Sequence, residues 1–170
     1  MATNEQIQKK ITGQFGGQII AVEEQFSQLC LTVQRQDHLT VLQFLRDDPD
    51  LSFDFLIDLF GVDYLAMGGL ERFAVIYHLY SMKIAHRLRI KVFVPERDAH
   101  LDSVSALWAA ANWAEREVYD MYGIRFDGHP DLHRILCPDD FSGFPLRKDF
   151  PLQGIGYREN FEKITRQTAQ

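Results

Sequence analysis

Two histidines and one cysteine follow one another at intervals of four residues: His129, His133 and Cys137. Imidazole nitrogens and thiolate sulfurs are ligands that zinc prefers in proteins, and this spacing would bring all three to one face of a helix. Pro130 and Pro138 argue against a regular helix here, and no fourth ligand is evident nearby. We therefore expect His129 to make a structural hydrogen bond at a turn. A metal site is the alternative.

Three carboxylates lie close together just before these residues: Glu115, Glu117 and Asp120. Such a group could serve as a general acid and base. Arg116 lies among them, however, and no recognisable nucleophile or pocket motif accompanies them, so we do not expect catalysis. A solvated ion pair between Arg116 and Asp120, which are i, i+4 neighbours on a helix, is the ordinary interpretation. The nucleotide motifs GxGxxG and GxxxxGK[ST] are absent.

Basic and aromatic side chains alternate towards the C-terminus, where Arg134, Arg147 and Lys148 lie among Phe144 and Phe150. Arginine and aromatic residues dominate the binding energy of protein interfaces. The same mixture also suits single-stranded nucleic acid. The formal net charge of −6 disfavours that second interpretation, because phosphate binding depends on concentrated positive charge.

The composition is that of one ordinary domain with an appended segment. The chain has 170 residues, of which 46% are hydrophobic and 25% are charged, which is sufficient for one core. Its two cysteines, Cys30 and Cys137, form no CxxC pair, so a reducing compartment is expected. The sequence contains no apolar run of about 18 residues that could span a bilayer. At a membrane, we expect other proteins to hold this chain.

The apolar periodicity of the first half predicts an alternation of helices and strands. In chain order, it predicts a helix at 4–13 ended by Gly13, strands at 18–24 and 27–34, a helix at 38–47 capped by Asp37, and a strand in the later half of 53–65. A hairpin follows, with large apolar residues at every second position of both strands: Phe73, Val75, Tyr77 and Leu79, then Leu88, Ile90, Val92 and Val94. The outward face of its second strand carries Arg87, Arg89 and Lys91, which either dock an acidic neighbour or keep the sheet soluble.

Two further helices are predicted in the second half. Asp102 or Ser103 can cap a helix that runs into Trp108. Asn112 and Glu115 resemble a capping box for a helix at 113–122, which Gly123 would end. The apolar face of that helix comprises Ala114, Val118, Met121 and Tyr122, so its charged residues are expected to lie off the core.

The segment 128–170 differs from everything before it. It contains four of the six prolines and no apolar period, yet it is rich in leucine and phenylalanine, unlike a disordered tail. Long irregular segments are uncommon in compact domains unless they are functional. We expect domain boundaries at 1–127 and 128–170, and an arm that needs a partner surface to fold against.

Several short motifs at fixed offsets resemble one family. They are ERE at 115–117, Asp120, Met121 and Gly123, GHP at 128–130, RIL at 134–136 and PLRKDFPL at 145–152, with VFVPE at 92–96. The family is the thirty-kilodalton subunit of proton-pumping NADH:quinone oxidoreductase, which is respiratory complex I. The resemblance is strong over about the C-terminal hundred residues and loose before them.

The resemblance implies an α+β fold with a two-layer domain and a mixed β-sheet: helix, two strands, helix, three strands, then a short charged helix and an extended C-terminal arm. It implies a cofactorless structural subunit of the hydrophilic arm of the complex, peripheral on the cytoplasmic side of the inner membrane. FMN, iron–sulfur clusters and quinone would be bound by other subunits, and the partners would be the quinone-site subunit and neighbouring iron–sulfur subunits. The implied signature and interface residues are Glu115, Arg116, Glu117, Asp120, Gly123, His129, Pro130, Arg134, Leu136, Pro145, Arg147, Lys148 and Asp149.

This sequence departs from the family pattern at His133 and Cys137, and the first departure puts in doubt any contact that needs a permanent charge there. We hypothesise that Arg134, Arg147 and Lys148 pair with acidic groups of partner subunits. Two other functions are open. One is the equivalent subunit of a membrane-bound hydrogenase, formate hydrogenlyase or F420-type dehydrogenase, and the other is a free-standing metalloenzyme that uses His129, His133 and Cys137.

Overall fold

The computed structural model describes residues 3–154. Its helices are α1 (Asn4–Phe15), α2 (His38–Asp47) and α3 (Ala111–Tyr122). Its strands are β1 (Ile19–Gln25), β2 (Gln28–Val33), β3 (Phe55–Asp63), β4 (Phe73–Ser81), β5 (His86–Val94), β6 (His100–Asp102) and β7 (Arg125–Asp127). The α+β class and the predicted order of helix, two strands, helix and three strands are confirmed. None of the helices in residues 3–154 is long and apolar enough to cross a membrane.

The main sheet has five strands in the order β1-β2-β5-β4-β3. Neighbouring strands are antiparallel, except that β2 and β5 are parallel, so the sheet is mixed as predicted. A second, two-stranded sheet joins β6 and β7 in parallel, and it was not predicted from the sequence. This small sheet fixes the chain on either side of α3.

The core lies on one face of the main sheet. Alternate residues of β4 and β5, such as Val75, Tyr77 and Ile90, are fully buried and form one cluster with apolar residues of all three helices. The intervening residues of these strands are mostly half-buried or exposed. The helices therefore form one layer and the sheet the other, and no helix of the described part covers the opposite face.

Helix α1 begins at a complete capping box between Thr3 and Gln6. It buries Ile7, Ile11 and Phe15, which recur every fourth residue on one face. The predicted end at Gly13 is wrong, because burial of Phe15 continues the helix by another half turn. Helix α2 has the predicted bounds, but the Asp37 side chain makes no capping hydrogen bond.

The predicted helix between Asp102 and Trp108 is absent, and turns take its place in the structure. The hydroxyl of Ser103 and the N–H of Val104 both donate to the Glu115 carboxylate instead of serving a helix start. For the same reason the predicted capping box of α3 does not form: α3 begins at Ala111, and Glu115 faces the preceding loop.

The segment after β7 contains no helix or strand between residues 128 and 154, as predicted. We call residues 128–154 the arm; the remainder of the predicted arm, 155–170, lies outside the described residues. We expected the arm to take its form from a partner. The arm instead makes hydrogen bonds to the domain of its own chain, at Asp120 and at Asp63.

Candidate functional site

The charged residues of α3 are buried, contrary to the expectation that they lie off the core. The side chains of Glu115 and Asp120 are fully buried and Arg116 is nearly so, whereas Glu117 is exposed. The prediction from apolar periodicity was wrong for these residues, because charged groups are also buried where the fold supplies hydrogen-bonding or ionic partners. Each of the three buried residues has such partners.

Asp120 organises the middle of the arm. One of its carboxylate oxygens accepts from the Arg134 guanidinium at 2.7 Å. The other accepts the backbone N–H groups of Ile135, Leu136 and Cys137 at 3.1, 2.8 and 2.8 Å. Burial by itself would raise the pKa of Asp120, but these donors outweigh it and lower the pKa to about 2. A permanently charged carboxylate therefore holds this turn of the arm.

Arg116 binds the arm one turn earlier. Its guanidinium donates to the backbone oxygens of His133 and Arg134 at 3.2 and 3.3 Å, and it lies 2.6 Å from Nε2 of His133. Since arginine can only donate, this imidazole nitrogen accepts, and the arrangement needs no positive charge on His133. Arg116 also lies over the Trp113 ring. The predicted ion pair between Arg116 and Asp120 is therefore wrong.

Glu115 is a buried carboxyl with few donors. The Ser103 hydroxyl lies 2.6 Å from one of its oxygens, and the N–H of Val104 lies 2.7 Å from the other. Burial raises the pKa of Glu115 to about 7, because these two hydrogen bonds offset only part of the desolvation. Nε2 of His129 lies 3.9 Å from the carboxylate.

His129 makes the structural hydrogen bonds predicted for it. Its Nδ1 accepts the N–H of Asp131 at 3.0 Å, so Nε2 carries the hydrogen and donates to the carbonyl of Asn112 at 3.0 Å. The first bond closes a turn within the arm, and the second joins that turn to the start of α3. His129 therefore has a structural role, in which its side chain connects the arm to α3.

A second buried carboxylate, Asp63 at the end of β3, holds the far end of the arm. It accepts the backbone N–H of Lys148 at 2.9 Å and pairs with the Arg72 guanidinium at 3.1 Å. Arg72 also binds Glu96 and Asp149, so that it connects β3, the segment after β5 and the arm. Burial opposes ionisation of Asp63, but Arg72 and the backbone donors outweigh it and lower the pKa.

Arg147 packs inside the chain as well. It donates to the carbonyl of Tyr122 at 2.7 Å and lies over the rings of Phe73 and Phe144. Gly123, in the left-handed conformation with φ of 76°, ends α3 as predicted, and it leaves room for this packing.

Arg134 and Arg147 both have partners within this chain, so their pairing with carboxylates of partner subunits stays a prediction. These partners are Asp120 for Arg134, and for Arg147 the Tyr122 carbonyl, two aromatic rings and the Glu96 carboxylate at 4.0 Å. The ammonium of Lys148 is exposed and has no ion pair within residues 3–154. Of the three basic side chains, Lys148 is the one that the described residues leave without an ion pair.

The structure does not assemble the metal site that the spacing of His129, His133 and Cys137 offered as an alternative. The three residues have separate hydrogen-bond partners, and no group of three or more His, Cys, Asp or Glu residues in the described part is arranged to hold a metal ion. The fold thus gives no support to the free-standing metalloenzyme.

Large apolar side chains remain on the outside of this region. Leu132 packs against the core, but Leu136 is 63% exposed and Trp113 on α3 is 61% exposed. Leu146 and Leu152 are also exposed. A surface of this kind, held by a rigid polar framework, is typical of a protein interface.

Four residues of this site were not predicted from the sequence: Asp63, Arg72, Ser103 and Trp113. Asp63 did give a signal, because it continues the inward alternation of Leu59 and Gly61 on β3, where a charge needs a buried partner. Arg72 and Ser103 gave none, since their roles depend on contacts with distant segments, and the position of Trp113 beside Arg116 on the helix does not by itself indicate its exposure.

Comparison with known proteins agrees with this architecture. The family model described as "Respiratory-chain NADH dehydrogenase, 30 Kd subunit" matches residues 31–155. Proteins named as subunits of NADH-quinone oxidoreductase are similar to the chain in Citrifermentans bemidjiense (46% identical, covering 91% of this chain and 93% of that protein) and Geobacter metallireducens (45%, 86% and 89%). A protein with the same name from Legionella pneumophila is 42% identical, and the match covers 96% of this chain and 86% of that protein.

Two solved structures share the fold. The trypsin-resistant fragment (1–134) of Nqo5 is 34% identical, with a TM-score of 0.67, and the match covers 75% of this chain and 98% of the fragment. A polypeptide of an archaeal membrane-bound sulfane sulfur reductase has a TM-score of 0.74 at 21% identity and covers 98% of this chain and 95% of its own length. At that identity the second likeness establishes the fold alone. The family model and the curated relatives together show that this chain belongs to the family of the respiratory-chain NADH dehydrogenase 30 Kd subunit.

Proposed function

We propose that this chain is a structural subunit of a proton-pumping NADH:quinone oxidoreductase. It would lie on the cytoplasmic side of the membrane and hold together the quinone-site subunit and the neighbouring iron–sulfur subunits. Flavin, iron–sulfur clusters and quinone would be bound by those other subunits. Relatives named as a subunit of NADH-quinone oxidoreductase, at 42%, 45% and 46% identity over most of the chain, support this assignment.

The observation that carries the bracing role is the way in which the arm is held. Asp120 and Asp63 are buried carboxylates that fix two points of the arm through backbone N–H groups and arginines. The exposed leucines Leu136 and Leu146 lie at these same points. Such preorganisation favours binding, because less conformational entropy is lost when a partner docks.

The internal engagement of Glu115, Arg116 and Asp120 supports a structural role over a catalytic one. Each of these side chains is occupied by contacts within the chain, and within residues 3–154 none of them faces an open cavity that could admit a substrate. A catalytic group must instead lie within hydrogen-bond reach of the reacting atoms.

An experiment on the exposed leucines tests the bracing role. Leu136→Ser combined with Leu146→Ser leaves the Asp120 and Asp63 contacts intact, so the chain should fold normally. We expect the variant to reduce the yield of intact complex and its NADH:quinone reductase activity by about tenfold, as loss of interface anchors does. Leu70→Ser is the matched control, since Leu70 is also exposed (60%) but lies in the loop between β3 and β4. Equal yields from both variants would contradict the proposal.

The related alternative is the equivalent subunit of a membrane-bound hydrogenase, formate hydrogenlyase or F420-type dehydrogenase. The fold shared with the sulfane sulfur reductase polypeptide is compatible with such a role. The 46% sequence identity to a protein named as an NADH-quinone oxidoreductase subunit, over 91% of this chain, favours the quinone enzyme. Tagging the chain, extracting it with mild detergent and identifying the copurifying proteins decides between them. Flavin- and NADH-binding proteins support the proposal, and a nickel–iron hydrogenase protein contradicts it.

A further inference from the structure

The face of the main sheet that points away from the helices carries a polar and apolar pattern of its own. Strand register places Phe55, Tyr80 and Arg87 side by side across β3, β4 and β5. The next outward row places Asp58, His78 and Arg89 side by side. We call these two rows the open sheet face. Their inward neighbours Leu79 and Leu88 are fully buried, which fixes the direction in which the two rows point.

One corner of the open sheet face is strongly apolar. Phe55 is 53% exposed, and Met82, in the turn after β4, is 68% exposed. With Ile57, which lies at the register shift of β3, they line a shallow depression that Tyr80 and Arg87 complete. Three large apolar side chains around one depression exceed the scattered exposure that is normal for a soluble surface.

The same face carries positive charge that the described part of this chain does not neutralise. Arg87 lies over the Tyr80 ring, and within residues 3–154 neither Arg87 nor Arg89 has a carboxylate in ion-pair distance. Lys91, one row further, is paired with Glu23 at 3.5 Å. Two such arginines are notable in a chain whose formal net charge is −6.

His78, which lies between Asp58 and Arg89 in the second row, does not add to this charge. Burial lowers the pKa of His78, and Arg89 and Arg87 lower it further. Its Nε2 is buried and has no hydrogen-bond partner within the described residues. The carboxylate of Asp58 accepts the N–H of Leu59 at 2.8 Å and forms no ion pair in this part of the chain. The positive potential therefore comes from the two arginines.

Position separates this face from the arm. The arm is anchored at Asp63, Tyr122 and Asp120, which lie on the helix side of the sheet, since Gly61, two residues before Asp63, faces the Tyr122 ring. The open sheet face lies on the opposite side, and β3 at its margin is an edge strand of nine residues. Natural proteins cover or charge such apolar edges, because a bare edge invites association.

We propose that the open sheet face binds an acidic segment of another polypeptide, which places apolar side chains in the depression and carboxylates on Arg87 and Arg89. Charge complementarity selects this occupant. A second copy in a two-fold arrangement would bring the arginines near their own counterparts, which is unfavourable. Asp58 and Glu23 on the same side of the sheet disfavour phosphate-rich surfaces such as an anionic membrane.

The first experiment tests the charges in the intact complex of the host. Arg87→Glu with Arg89→Glu should lower retention of the tagged chain in the detergent-extracted complex by about tenfold, because attraction becomes repulsion. Arg97→Glu with Arg125→Glu is the matched control. Both arginines are exposed and lie outside the open sheet face, and the two substitutions change the net charge by the same amount. Retention equal to that of the control would overturn the proposal.

The second experiment identifies the occupant with the native charges in place. A photo-crosslinking residue at Met82, activated in native membranes, should join a segment of another protein that contains both carboxylates and apolar residues. Replacing those carboxylates by lysine should restore retention of the Arg87→Glu, Arg89→Glu variant. A cross-link to lipid, to a second copy of this chain or to a segment without carboxylates would overturn the proposal, as would the absence of any cross-link.

Discussion

At the scale of single residues, two buried carboxyls on one helix show how partners decide protonation. Glu115 and Asp120 are both fully buried on α3. Asp120 is surrounded by a guanidinium and three backbone N–H groups, and its pKa falls to about 2. Glu115 has only one hydroxyl and one N–H within the described residues, and its pKa rises to about 7. Desolvation therefore determines the direction of the pKa shift at Glu115, and hydrogen bonding to the charged form determines it at Asp120.

The raised pKa of Glu115 predicts a loss of stability as the pH rises. The folded state holds this proton more tightly than the unfolded state does, so its contribution is complete below the unfolded value near 4.5 and is lost as pH rises to about 7. A shift of this size corresponds to about 3 kcal/mol. When the free energy of unfolding is measured in urea at several pH values between 4.5 and 8, it should fall as the pH rises. Glu115→Gln should remove most of this slope. Glu117→Gln, exposed on the same helix, should retain it; equal slopes for both variants would refute the assignment.

Removing the charge of Asp120 should loosen the arm from the domain. Asp120→Asn keeps the size of the side chain but leaves Arg134 without its ion-pair partner and weakens the bonds to the three backbone N–H groups. We expect a loss of about 3 kcal/mol in the free energy of unfolding of the purified chain, as for other broken buried pairs. Asp139→Asn, exposed in the arm, is the control. Similar stabilities of the two variants would show that the Asp120 network contributes little.

At the scale of elements, the end of α3 is the point at which helix, sheet and arm meet. Tyr122 packs against Gly61 of β3, and Gly123 leaves space for Phe144 and Arg147 of the arm. The two glycines thus serve close approach between elements. Gly123 has an additional backbone requirement, because its left-handed conformation ends the helix.

A pair of glycine substitutions separates these two requirements. Gly123 and Gly128 have similar φ angles, 76° and 79°, so alanine at either position costs about 1 to 2 kcal/mol for the left-handed backbone. At Gly123 the new Cβ would also meet Phe144 at 2.6 Å, whereas nothing in the described part lies within 4 Å at Gly128. Gly123→Ala should therefore be less stable than Gly128→Ala by about 1 to 3 kcal/mol in urea unfolding. Equal losses would mean that the arm does not pack against this glycine.

At the scale of the whole molecule, the arm is part of the fold and not a tail added to it. Asp120 and Asp63, at two separate sites of the domain, accept hydrogen bonds from the arm, and both are buried where water cannot replace those partners. The arm and the open sheet face occupy opposite sides of the sheet. If both bind partners as proposed, the chain lies between two neighbours.

Truncation tests whether the arm stabilises its own domain. A protein that ends at Gly128 leaves Asp120 without Arg134 and Asp63 without the Lys148 N–H, so we expect it to unfold at clearly lower urea than the full chain. A protein that ends at Gly154 is the control, because it keeps every contact described for the arm. Identical unfolding midpoints for the two truncated proteins would contradict the internal role of the arm. This test also shows whether partner loss after truncation reflects lost contacts or lost folding.

Much of the fold follows from local patterns. The large apolar residues Val75, Tyr77 and Leu79 at every second position determined β4, and Leu88, Ile90 and Val92 determined β5 in the same way, because a strand with one buried face has a period of two. Gly123 marked the end of α3 because few residues other than glycine adopt its backbone conformation readily. The motifs from ERE to PLRKDFPL indicated the family to which the chain belongs.

The sequence by itself thus determined the three helices, the five strands of the main sheet and the family, since each is encoded in residues close together along the chain. It did not determine the β6–β7 pair or the turns between Asp102 and Trp108, which depend on contacts with distant residues. Only the tertiary structure decided that Glu115, Arg116 and Asp120 are buried and that Arg134 and Arg147 bind within the chain. Lys148 and Asp63 are 85 positions apart, and Arg134 and Asp120 are 14 apart. Burial of a charge is favourable only where the fold delivers a partner, and no local pattern records which distant residue that partner is.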